Sequence, residues 1–183
     1  MLRPVHGGAK FPAGGTAMKY GKLVRDGIIR IIQEKGEPCS YHVADTMEER
    51  QDKLVFKLME ECAEFATEES PDEAVDIAEV VKTMIGFYAF DETALQAARG
   101  SPTVFDAGEV LEEDRRLEIQ LALVEAAEDF AVQPVLERMA VFLALFDRAV
   151  SFYGFDREML EAMRIAKRRE RGGFDGWIVL DES

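Results

Sequence analysis

LMEECAEFATEESPDEAVDIAEVVKTMIGFYAF, residues 58–90, is the stretch from which the fold can be read. Its first part continues a helical pattern running from about Met47 to Glu68. Leu54, Val55, Leu58, Cys62, Phe65 and Ala66 fill one arc of a wheel that turns ~100° per residue. SPDE then signals a new helix: Ser70 suits the N-cap, Pro71 the first helical position, and Glu73 the capping-box position. The helix that follows, to about Phe90, is apolar around most of its circumference, and Asp76 and Glu79 share its one polar stripe. Two such helices joined across Glu69–Ser70 form an antiparallel hairpin.

That hairpin gathers acids. Lys57, Glu61 and Glu64 lie four and three apart, so they form one stripe of the first helix. Counting outward from the turn sets Glu64 opposite residue 75 or 76 and Glu61 opposite residue 78 or 79. Glu61, Glu64, Asp76 and Glu79 are therefore expected at one point. Glu73, which stands in an ExxD relation to Asp76, serves either as a capping residue or as an alternative ligand. Carboxylates this close repel one another and raise each other's pKa, and a divalent cation relieves the repulsion. Oxygen donors in that number suit Mg²⁺ or Mn²⁺ rather than zinc. The competing reading is a solvated face, where acidic pairs three apart are common.

Outward from the hairpin, LVRDGIIRIIQEKG reads as a first helix ended by Gly36 and Pro38, and SYHV as a brief extended stretch. Asp91 caps DETALQAA, which stops at Gly100-Ser101-Pro102. The chain then repeats itself. GFYAFDETALQAA at residues 86–98 parallels SFYGFDREMLEAM at 151–163, and LMEECAEF at 58–65 parallels ALVEAAEDF at 122–130. Between them, the helix that begins at Pro71 parallels VLERMAVFLALFDRAV at 135–150, and three segments matching in the same order, offset by 64–65 positions, mark an internal duplication. The expected fold is all-α: two tandem antiparallel hairpins in a four-helix-bundle-like arrangement, with Leu58, Cys62, Phe65, Val80, Met84 and Phe87 in the shared core and Leu121, Val124, Met139 and Phe142 added by the second pair. Residues 1–19 are expected to be a flexible arm and 20–183 a single domain. Within it, 20–100 form the first hairpin with the metal site, 101–116 a linker, and 117–183 the second hairpin and tail. The second copy is degenerate. Glu125 and Glu128 echo Glu61 and Glu64, but Val141 and Ala144 stand where Asp76 and Glu79 would be.

Composition narrows the function. The 183 residues carry a net charge of −14, which argues against a nucleic-acid polymer as partner but not against a single nucleotide held through a metal. No apolar run approaches the roughly 18–20 residues of a membrane span. Two Cys and two His make neither a disulfide framework nor a zinc site, and a reducing cytoplasm is the expected compartment.

EExxE at Glu60, Glu61 and Glu64, followed by ExxD, resembles the MazG-like all-α nucleoside triphosphate pyrophosphohydrolases, the superfamily that includes phosphoribosyl-ATP pyrophosphohydrolase. GKLVRDGI at residues 21–28 and RRERGGF at 168–174 resemble the ends of its smaller members, which open with KLVRDKIP and close with ERGGF. The likeness covers Tyr20–Ala98 and Asp156–Leu180. It departs at Gly27, where the family has Lys. The resemblance implies a metal-dependent enzyme that cleaves a nucleoside triphosphate, or a related phosphoribosyl nucleotide, between the α- and β-phosphates. It implies metal ligation by Glu61, Glu64, Asp76 and Glu79 or Glu73, catalysis with Glu61, Glu64 and Lys57, and phosphate contacts from Lys22, Arg25, Lys167 and Arg171 beside Gly172 and Gly173. Phe174 or Trp177 is a candidate for stacking on a base, or belongs to the core. The alternative is a non-catalytic, degenerate relative that binds a nucleotide or a protein. The duplicated bundle is either a complete pseudo-dimer or half of a larger assembly such as a homodimer.

Overall fold

The computed structural model describes residues 7–8, 19–99 and 112–182. The expected N-terminal arm thus lies outside the described residues except at Gly7, Gly8 and Lys19, as does the expected linker up to residue 111. The described chain is mostly helical. Its elements run β1 (Gly7–Gly8), β2 (Lys19–Leu23), α1 (Ile28–Glu34), β3 (Ser40–Val43), α2 (Met47–Glu68), α3 (Pro71–Phe87), α4 (Glu92–Arg99), α5 (Glu112–Val132), α6 (Leu136–Phe152), α7 (Arg157–Arg171) and β4 (Ile178–Glu182). Residues 112–116, expected in the linker, belong to α5. The chain divides into two compact units, Met1–Lys57 with Ile165–Ser183, and Leu58–Arg164.

The first unit is built on a small antiparallel sheet of strand order β1-β3-β4-β2. Leu23, expected to open the first helix, instead ends a strand and pairs with Val179. Val24, Ile29, Cys39 and Leu180 form the apolar core here, packed against Ile28, Ile32, Tyr41 and Ile178. Thr46 caps α2 by accepting from the Glu49 amide at 3.1 Å. His42 on β3 bonds Asp181 through Nδ1 at 2.9 Å and Glu49 through Nε2 at 2.8 Å. Burial works against its charge, but the two carboxylates outweigh that and hold the imidazole pKa above its ordinary value.

The second unit holds the repeat. A shift of 65 positions maps the two ends of α3 onto those of α6, and Asp91 onto Asp156. Both aspartates cap a helix in the same way, accepting from the Ala94 amide at 2.6 Å and the Met159 amide at 2.7 Å. Ser70 accepts from the Glu73 amide at 3.3 Å, whereas Val135, its counterpart, offers no side-chain cap. The aromatic residues exchange partners between the copies. Phe65 sets its edge against Tyr153 (5.4 Å between centroids), and Phe130 sets its edge against Tyr88 (5.5 Å). Each tyrosine stacks on the phenylalanine two residues on, Phe155 or Phe90. Residue i meeting j + 65 while i + 65 meets j is the reciprocal contact pattern of a two-fold relation, here within one chain.

Leu58, Cys62, Phe65, Val80, Met84, Met139 and Phe142 are buried as the sequence suggests. Phe87 and Val124 are half-buried, and Leu121, an expected core residue, is 52% exposed. The buried face of α5 is instead Ile119, Leu123, Ala126, Ala127 and Phe130.

Candidate metal centre

The turn between α2 and α3 sets the site. Glu69 takes a left-handed backbone (φ 50°), and Ser70, extended, caps α3 at once. The first turn of α3 is thereby returned against the last turns of α2. Glu61, Glu64 and Glu73 each bring a carboxylate oxygen to within 4.8 Å of the others, and Asp72, Glu73 and Asp76 make a second such trio. Glu73 belongs to both. Glu61 is buried at 3% exposure, Glu73 and Asp76 are half-buried, and Glu64 and Asp72 reach solvent. The N-terminal end of α3 favours the anions of Asp72 and Glu73, since its unpaired amides carry partial positive charge. Cys62, beside this cluster, is held as a thiol: burial pushes its pKa up, and the neighbouring Glu61 charge adds to that.

Glu79 is placed otherwise. It is fully buried, and its Oε2 accepts from Arg164 Nη1 at 2.5 Å. Arg164 is also clamped by Glu161 through Nε and Nη2, both at 2.8 Å. The bond to Glu161 raises the guanidinium pKa most, against the penalty of burial, and Glu79 raises it further. Of the two acids proposed to complete the site, the geometry brings Glu73 to Glu61 and Glu64. Sequence reasoning missed Arg164, although it is the counterpart of Arg99, 65 positions earlier, whose guanidinium is paired with Asp147.

The basic and glycine residues expected at the substrate lie in the first unit, as does Lys57, half-buried on α2. There the two end motifs are bound to each other. The Asp26 amide donates to the Gly173 carbonyl and the Gly27 amide to the Arg171 carbonyl, each at 2.8 Å. A Cβ on Gly27 would lie 2.8 Å from that Arg171 oxygen, so this position accepts no side chain without a backbone shift. Gly172 turns at φ +82° and packs as tightly against Asp26. Arg25 is buried; its Nη1 donates to the Gly172 carbonyl at 3.2 Å, and its guanidinium lies 5.4 Å from the ring centre of Phe174. Phe174 is core, and Trp177 is covered by the Arg50 guanidinium at 5.1 Å. Asp26 accepts from the Gly176 amide at 2.8 Å, and burial raises its carboxyl pKa. Lys167 is buried, Lys22 half-buried and Arg171 exposed.

Among the described residues, no helix is long and apolar enough to cross a membrane. No family model, curated protein or solved structure matches the chain.

Proposed function

We propose that the chain is a Mg²⁺- or Mn²⁺-dependent nucleoside triphosphate pyrophosphohydrolase of the MazG-like kind, releasing a monophosphate and pyrophosphate. The observation that carries this reading is the meeting of Glu61, Glu64 and Glu73 from two helices, extended by Asp72 and Asp76. The donor set is all oxygen and strongly anionic, which fits a hard divalent cation. Glu61, Glu64 and Glu73 would hold it, with Asp76 beside them. A cation there would shield phosphate charge and lower the pKa of a bound water. Without one, the cluster repels any polyphosphate.

In this reading Glu61 and Glu73 fix the geometry, because packing holds them. Glu64, open to solvent, accepts the proton of the attacking water. Arg25 is committed to Gly172 and Phe174. The duplicated hairpins of the second unit supply the two halves of the proposed four-helix bundle.

The test is product analysis over a panel of nucleoside triphosphates with Mg²⁺ and with Mn²⁺. Equal release of monophosphate and pyrophosphate supports the reading, and release of inorganic phosphate alone excludes it. Nucleotide binding without any turnover would favour the non-catalytic module.

A further inference from the structure

The second unit contains a cleft of about 1050 Å³ among α3, α4, α6 and α7. Ten of its eighteen lining residues form pairs 65 positions apart, among them Ala78 with Leu143, Val81 with Phe146, and Lys82 with Asp147. Gln96 with Glu161 and Arg99 with Arg164 continue the series. The cleft therefore straddles the internal two-fold relation. Ala78 and Val81 of the first copy stand where the second has Leu143 and Phe146, and Gly86 where it has Ser151.

Well-packed interiors leave few voids larger than a water molecule, and a space of this size matches small-molecule sites rather than packing defects. It is separate from the acidic cluster. At ~100° per residue, Ala78, Val81, Lys82 and Ile85 lie on roughly the opposite side of α3 from Glu73 and Asp76.

The floor is apolar, with Ile85, Leu95, Leu143 and Phe146. At the rim, Asp147 receives both Arg99 and Arg157, so two guanidiniums share one carboxylate. Arg164 is neutralised by Glu79 and Glu161, with Lys82 close enough to Glu161 to lower its pKa electrostatically, after the larger effect of the Arg164 bond. Asp91 is turned to its own helix as a cap, and Glu92 sits on that helix's first turn, where the helix end offsets its charge. Lys82, exposed on α3, is thus the cation open to a ligand, and the two guanidiniums that share Asp147 leave one positive charge uncompensated at the rim.

We propose that this cleft is a second binding site, for a small amphipathic molecule with an apolar body and one anionic head of carboxylate or sulfonate type. The proposal does not rest on the hydrolase reading.

The probe is 8-anilinonaphthalene-1-sulfonate, titrated by fluorescence into the full chain without metal. One saturable site is expected, displaced by decanoate but not by decyltrimethylammonium. Val81→Phe, which installs the second copy's residue, should weaken binding at least tenfold. Gly86→Leu should do the same without disturbing the core, because a Cβ there meets nothing within 4 Å. Lys82→Glu should weaken the anionic probe, and Glu73→Gln should leave it unchanged. Thermal melts establish that each variant is folded. Binding untouched by both space-filling variants, stronger displacement by the cation, or loss of binding in Glu73→Gln would overturn the proposal.

Discussion

Arg164 and Glu79 form a buried ion pair, with side-chain exposures of 6% and 0%. Removing one partner leaves the other charge buried, at a typical cost of about 3–5 kcal/mol. Glu79→Gln and Arg164→Met are each expected to lower the urea midpoint by a corresponding amount. Replacing the pair together, Glu79→Leu with Arg164→Met, should restore much of the loss. Single variants as stable as the parent would show that the pair is not structural.

The acidic cluster should behave in the opposite way. Glu61→Gln and Glu73→Gln each remove one of several crowded negative charges, so metal-free stability is expected to stay level or rise. Pyrophosphate release should fall at least a hundredfold and Mn²⁺ affinity with it. Calorimetric titration, run beside the melts, separates this outcome from simple unfolding.

Each chain should hold one such metal centre. Val141 and Ala144 offer no ligand, and Glu125 and Glu128 both reach solvent. Two exposed carboxylates bind Mg²⁺ weakly unless a substrate fills the octahedron. Glu125→Gln with Glu128→Gln is expected to leave the Mn²⁺ stoichiometry at one. Two equivalent tight sites in the parent chain would contradict this.

His42 should make stability depend on pH. Its folded pKa is raised, so the folded chain holds the proton more tightly than the unfolded one. That stabilisation is complete below the ordinary histidine value of about 6.5 and fades as pH rises through the folded value. His42→Asn should abolish it, and the melting temperatures of parent and variant should converge at alkaline pH. Proton NMR titration of the imidazole gives the direct measure, and a midpoint at or below the ordinary value would sink the idea.

The exchanged aromatics give a test of the duplication. Phe65→Ala and Phe130→Ala empty equivalent, fully buried positions, and each should cost about 3–5 kcal/mol. Closely matched losses are expected from chemical denaturation. A large loss from one and none from the other would mean that the copies do not share their packing.

What could be read from the sequence was local or repetitive. Met47–Glu68 and the start at Pro71 follow from nearby caps and a clear helical period, and both stand in the structure. The strand ending at Leu23 escaped notice because its partner, Val179, comes at the far end of the chain, and LVRD reads as easily into a helix. Glu79 looked like a ligand because its compensating charge, Arg164, is 85 positions away. The error at Leu121 has a different origin. Apolar residues surround α5 almost evenly, so periodicity could not choose a face. A strict shift of 65 would have chosen it, carrying Leu58, Cys62 and Phe65 onto Leu123, Ala127 and Phe130, all buried.

Covalent linkage of the two hairpins changes what mutation can do to them. In an assembly of identical chains every substitution is made twice, so a change that harms one copy harms both. Phe65 and Phe130 hold their exchanged positions on a single chain, and there each half drifts alone. One half can keep Glu61, Glu64 and Glu73 while the other lets its acids lapse. Equivalent positions such as Lys82 and Asp147 can likewise carry opposite charges, a difference that strict symmetry would forbid.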